Sequence, residues 1–317
     1  MTDHPSLSPV NGIVLETAGL TEPTSLNVLR QLQTVPIPTQ APPGLDLPAQ
    51  VINTTCLQQT AKKTAPIVLL HGFDSSVLEF RRLLPQLQDH SCYALDMLGF
   101  GFTDRPRGWP ISPGTIQAHL DGFWQSQIQA PMILVGASMG GAAAMDFALS
   151  YPDRVQQLVL LDPAGWQSGG SQGRLLIPPL GYLATSFLAN PRVRQKISER
   201  AYCDRTLASQ DAQTCAALHL KAPGWREGLI SFTRNQGYGS FREKIPQITQ
   251  PTLLLWGRQD RILGTKDTET MAAAIPDCDL VWIENCGHVP HLEKPQVVAQ
   301  LILEKIAGGR LESSILH

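Results

Sequence analysis

Short, mostly apolar runs alternate with helix-like stretches along most of this chain. Residues 67–70, 92–95, 132–135, 155–161, 252–256 and 280–283 are apolar segments of strand length, too short for a buried helix. Helical periodicity follows at 77–87, 115–129, 139–150, 265–274 and 295–306. This alternation predicts an α/β fold, with a mostly parallel central sheet and helices on both faces. Reactive groups in such a sheet gather in the loops beyond the carboxyl ends of its strands. The alternation therefore says where the chemistry should be sought.

The pattern is interrupted twice. Residues 1–45 read as an N-terminal extension, with a short helix at 24–33 and a turn-rich stretch over 36–48 before a strand at 51–57. Between 164 and 245 the strands stop. Gly/Ser punctuation, prolines and helical segments such as 191–201 and 207–220 take their place. That segment reads as a helical lid inserted between two parts of a hydrolase-like core, 46–163 and 246–317. It carries eleven basic and five acidic side chains, a net +6 in a chain of formal charge −2. Such an asymmetry suits a solvated helical surface, an anionic substrate or an anionic lipid surface.

Composition removes several function classes. With 16% charged residues and a net charge of −2, the chain lacks the basic excess of a nucleic-acid binder. The apolar stretch 130–145 contains Ser138 and three glycines, ends at Asp146, and falls short of the ~18 residues of a membrane span. Residues 1–40 show no basic start followed by an apolar run. Six scattered cysteines without a C-x-x-C pair, and no secretory signal, point to reduced thiols in a cytoplasmic compartment.

Gly136-Ala137-Ser138-Met139-Gly140 is a G-x-S-x-G sequence at a strand-to-helix junction. The spacing has a steric origin. A serine that projects above the sheet must sit on a sharp, strained turn, and the residues two before and two after it must be small. Gly169-Gly170-Ser171-Gln172-Gly173 matches the bare pattern equally well. No strand precedes Ser171, however, so it reads as a flexible hinge and Ser138 as the nucleophile.

A serine hydroxyl needs a base to take its proton and an acid to orient that base. Asp260 lies just past the strand ending at Trp256, and His288 just past the strand ending at Ile283. Both fall at the expected carboxyl edge, in the order serine, acid, histidine. Asp162, which follows the strand ending at Leu161, is a second candidate acid; Asp260 is preferred. His291 reads as a packing residue or one that supports the residues of the site from behind. Cys286, His288 and His291 lack companion ligands of metal-site spacing, so neither metal nor cofactor is expected. The oxyanion hole should be formed by the backbone N–H groups of Met139 and Phe73.

Together, His71-Gly72-Phe73, Asp96 with Leu98-Gly99-Phe100-Gly101, Gly136 to Gly140, Gly257 with Asp260, and Gly287-His288 followed by Glu293-Lys294-Pro295 resemble the α/β-hydrolase superfamily over residues 51–307. The resemblance implies a lidded serine hydrolase similar to carboxylesterases and carbon–carbon bond hydrolases. Serine at the elbow argues against the dehalogenases and epoxide hydrolases of that fold, which use aspartate there. The expected substrate is a small or lipophilic carboxylic ester, with Leu175, Leu176, Ile177, Leu180, Leu183 and Phe187 as candidates for an apolar acyl pocket. The alternatives are cleavage of a carbon–carbon bond in a vinylogous diketone acid, and a slow-turnover ligand receptor on the same fold.

Overall fold

The computed structural model describes residues 9–15, 17, 19–61, 65–167, 180–309 and 315–316. Its centre is a nine-stranded sheet, in the order β1-β2-β4-β3-β5-β6-β7-β8-β9. The strands are β1 (Gln33–Thr39), β2 (Gln50–Gln59), β3 (Ile67–Leu70), β4 (Cys92–Leu95), β5 (Met132–Ala137), β6 (Val155–Leu161), β7 (Thr252–Gly257), β8 (Cys278–Ile283) and β9 (Ile315–Leu316). Strand β2 runs antiparallel to both its neighbours, and every pairing from β4 to β9 is parallel. The expected mostly parallel sheet is present. Strands β3, β5 and β7 are buried along their whole length, as strands covered on both faces must be.

The helices are α1 (Pro23–Gln31), α2 (Pro113–Phe123), α3 (Met139–Ser150), α4 (Leu180–Ala189), α5 (Pro191–Ala201), α6 (Gln210–Ala217), α7 (Trp225–Arg234), α8 (Thr268–Ala274), α9 (Pro290–Glu293) and α10 (Pro295–Ile306). Two large apolar clusters form the core. One contains Leu70, Leu134, Met145 and Phe147; the other contains Leu69, Val135, Leu253 and Ile302. Neighbouring residues of one strand fall into different clusters because side chains alternate between the faces of a sheet. Among the described residues, no helix is long and apolar enough to cross a membrane.

Two expectations need correction. Part of the stretch read as turn-rich is β1, paired with β2 from Gln33↔Cys56 to Thr39↔Gln50. Pro36 and Pro38 masked it, yet β1 is the outer strand, where a missing N–H costs no ladder bond. The helix-like stretch 77–87 is instead two 3₁₀ turns, Val77–Phe80 and Leu84–Leu87, the second opening around Pro85.

Residues from 162 to 251, between β6 and β7, hold α4 to α7. Leu180, Leu183 and Phe187 do not line an internal pocket: they are 51%, 63% and 63% exposed. The buried residues of α4 are Gly181 and Thr185, so the helix packs by its small face and turns its apolar stripe outward. Leu175, Leu176 and Ile177, and the second G-x-S-x-G sequence at 169–173, lie outside the described residues.

Candidate active site

The loops after β3, β5, β6, β7 and β8 share one edge of the sheet, where the chain order reverses around β3. Ser138 stands between β5 and α3 with φ 51° and ψ −116°, a conformation that L-residues rarely adopt. Its neighbours explain why the chain tolerates it. A Cβ at Gly140 would overlap the Leu70 carbonyl, and one at Gly136 would overlap the backbone of Gly140. The turn is held by hydrogen bonds from Ser138 N–H to Leu161 O (2.9 Å) and from Ala164 N–H to Ser138 O (2.9 Å).

The structure brings Ser138, His288 and Asp260 together. Ser138 Oγ lies 3.0 Å from His288 Nε2, and His288 Nδ1 lies 2.9 Å from Asp260 Oδ2. The other oxygen of Asp260, Oδ1, accepts from the N–H groups of Ile262 (2.7 Å) and Leu263 (3.1 Å). Burial pushes the Asp260 carboxyl up, but the hydrogen bond from His288 and those two amides outweigh it and hold the group below its ordinary value. Asp260 therefore stays ionised and fixes the proton of His288 on Nδ1, leaving Nε2 to accept from serine.

Asp162 sits beside this array rather than in it. It is fully buried, and its Oδ1 accepts from Gly257 N–H at 3.0 Å. Burial, then the negative charge of Asp260, push its carboxyl well above the usual range. Donor atoms of Asp162, Asp260 and His288 all fall within 4.8 Å of one another. Both ring nitrogens of His288 are already engaged, so the trio fits a hydrogen-bonded relay better than a metal shell. Cys286 is buried, with its thiol against Gly287 O.

The loop after β3 carries Phe73 and approaches the serine at Gly72, where an added Cβ would lie 3.5 Å from that of Ser138. His71 donates from Nδ1 to Gly72 O (2.8 Å) and accepts at Nε2 from Met97 N–H (3.2 Å). Burial lowers its pKa to about 4, so the ring is neutral and can serve both contacts. The Phe73 ring packs edge-on against Phe100 (centroids 5.9 Å apart) and beside Phe232 of α7 (6.0 Å). A cleft of about 440 Å3 opens elsewhere, lined by Tyr182, Glu227, Ile230, Ser231, Arg234 and Asn235; none of the serine, aspartate or histidine described above lines it.

Two groups escaped the sequence reading. Glu79 Oε2 accepts from Gly72 N–H at 2.8 Å, and its Oε1 accepts from His291 Nε2 at 2.9 Å. Asp74 accepts at Oδ1 from Trp225 Nε1 (2.7 Å) and His219 Nε2 (3.1 Å), and at Oδ2 from Arg194 (2.7 Å). Apart from Gly72, seven positions from Glu79, their partners lie between 120 and 212 positions away, so no local spacing could announce those contacts. His291 makes this buried hydrogen bond to Glu79.

The alpha/beta hydrolase family matches residues 67–301. The alpha/beta hydrolase domain-containing protein VTE7 of Arabidopsis thaliana is 32% identical over 251 residues, covering 78% of this chain and 75% of that protein. The 2-hydroxy-6-oxo-2,4-heptadienoate hydrolase of Pseudomonas putida is 31% identical over 256 residues, covering 77% of this chain and 89% of that enzyme. The structure of a thermophilic esterase from Thermogutta terrifontis superimposes with a TM-score of 0.73 at 24% identity, over 88% of this chain and all (100%) of that one.

Proposed function

Because this chain belongs to the alpha/beta hydrolase family, we propose that it is a serine hydrolase that cleaves a carboxylic ester through an acyl-enzyme on Ser138. One observation carries the reading: Ser138 Oγ, on its strained turn, lies 3.0 Å from a histidine nitrogen whose ring partner is an ionised carboxylate. As Oγ attacks the ester carbonyl carbon, its proton passes to His288 Nε2. Asp260 stabilises the imidazolium that results. The electron pair of the carbonyl moves onto oxygen, which the N–H groups of Phe73 and Met139 receive. Collapse breaks the carbon–oxygen bond to the alcohol, and the departing oxygen takes the proton from His288. Water then repeats the sequence and releases the acid.

The surroundings favour a lipophilic acyl group. Phe73, Phe100 and Phe232 pack ring against ring, and Phe73 is partly exposed on the residue after Gly72, which itself approaches the Ser138 side chain. The helices between β6 and β7 act as a lid over this edge. In the second reading the enzyme is a carbon–carbon bond hydrolase of the meta-cleavage-product type, a reading that the Pseudomonas putida relative supports. Such a substrate carries a carboxylate, and Arg194, a cation of the lid bonded to the residue after Phe73, is engaged by Asp74 and by Ala216 O.

Hydrolysis of p-nitrophenyl esters from acetate to palmitate tests the proposal. Wild-type protein should turn over, and Ser138→Ala should lose at least about a thousandfold in kcat. A folded wild-type protein inert on every ester would sink the ester reading in favour of the carbon–carbon one.

A further inference from the structure

The loop that carries Phe73 is held from two opposite sides. On the side of the core, Glu79 takes the Gly72 N–H, and Glu79 is itself held by His291, three residues beyond His288. On the other side, Asp74 is gripped by three donors, all from the segment between β6 and β7: Arg194 on α5, His219 in the turn after α6, and Trp225 at the start of α7. The peptide that bears the Phe73 amide lies between these two anchors.

Asp74 is an expensive residue to place here. Its φ is 50°, in the left-handed region, where a side chain is strained. Its side chain is only 10% exposed and those of His219 and Trp225 are buried, so the carboxylate has exchanged water for these donors. Strain and a buried charge on the residue next to a reacting centre mark a site where position matters. Further bonds tie the same segment to the other two catalytic loops. His288 N–H donates to Ala201 O at 2.7 Å, and Arg200 Nε donates to Arg261 O at 2.7 Å.

We propose that Asp74 is a positioning residue, a latch through which the docked lid helices hold the Phe73 amide in its oxyanion-binding position. Docking of α5 and α7 and assembly of the oxyanion hole are then one event, and the enzyme is competent only with its lid in place. This rests on the reading of Ser138 as nucleophile and Phe73 N–H as oxyanion donor.

Asp74→Asn keeps the size, one acceptor oxygen and tolerance of positive φ, but removes the charge that holds Arg194. Arg194→Gln removes the other half of the pair. Both variants and their combination are assayed with p-nitrophenyl butyrate, with an alkyl boronic acid as oxyanion mimic, and by thermal melting. Asp74→Asn should lower kcat roughly tenfold or more, as small displacements of catalytic groups do, with KM within twofold. Boronate affinity should weaken by a similar factor while the protein stays folded at the assay temperature. The double variant should be no worse than the more impaired single one, since both remove one contact. A folded Asp74→Asn protein with wild-type kcat and boronate affinity, or single effects that multiply in the double variant, would overturn the latch. Should Asp74→Asn fail to fold, Arg194→Gln decides by the same two readouts. Failure of the underlying reading looks different: wild-type protein itself would neither turn over nor bind the boronate.

Discussion

Two aspartates stand within reach of one histidine, and their environments pull their carboxyls in opposite directions. His288 and two amides hold Asp260 below its ordinary value; burial and the charge of Asp260 push Asp162, which receives one amide, well above it. The two ring nitrogens of His288 bond Asp260 and Ser138, and neither bonds Asp162. Asp162→Asn leaves both of those contacts in place, and kcat should stay within about tenfold of wild type. Asp260→Asn removes the charge that orients and stabilises the imidazolium, and kcat should fall by roughly three to four orders of magnitude. Steady-state kinetics on the two variants check this, and comparable losses would contradict the assignment. From sequence both residues are candidates, since each follows an apolar strand, with Asp260 preferred. What separates them is the turn past Gly257, which carries Asp260 three residues beyond β7 and over to His288. Only the folded distance expresses that.

At the scale of elements, the junction of β5 and α3 was the most legible part of the chain. The local apolar run fixes β5, small residues fix α3, and the serine between them follows from both. Its glycines make a sharp prediction. In Gly140→Ala the added methyl would meet the Leu70 carbonyl, a backbone atom that cannot swing aside. Stability should drop by at least about 1–3 kcal/mol, read as a lower melting temperature with parallel loss of activity. An unchanged melting temperature would show that β3 and α3 can separate. Strand β1 and the 3₁₀ turns after β3 were less legible for a definite reason. Proline content and apolar spacing are local signals, whereas an edge position and a tight turn are set by neighbours distant in the chain.

Across the described part of the molecule, burial and ion pairing drive several buried carboxyls in opposite directions. Burial alone would raise Glu79 and Asp74, but His291 for the first, and His219 with Arg194 for the second, bring both down to about 2. A carboxyl lowered on folding adds stability above its unfolded value, and that stability is lost as pH falls toward the folded one. For Glu79 the window runs from about 4.5 down to about 2. Asp96 has the opposite sign: burial raises it to about 7, so stability declines as pH rises through that value. Melting temperature should therefore fall on both sides of mildly acidic pH. Glu79→Gln should be less stable than wild type at pH 6, with the gap narrowing toward pH 2. A gap independent of pH would assign the loss to shape and not to charge.

Asp211 of α6 illustrates how these long-range contacts order events in time. It accepts from Thr21 N–H (2.6 Å), Glu22 N–H (2.8 Å) and the Ser25 hydroxyl (2.6 Å), so the first helix docks on a residue made more than 180 positions later. At ribosomal speeds of 5–20 residues per second, that is on the order of 10 to 40 s of waiting. During synthesis the Thr21 and Glu22 amides just before α1 wait for this carboxylate, which exists only once much of the inserted segment has been made. A nascent chain stalled before residue 211 would hold α1 against β2 and the Val77–Phe80 turn, without this late anchor.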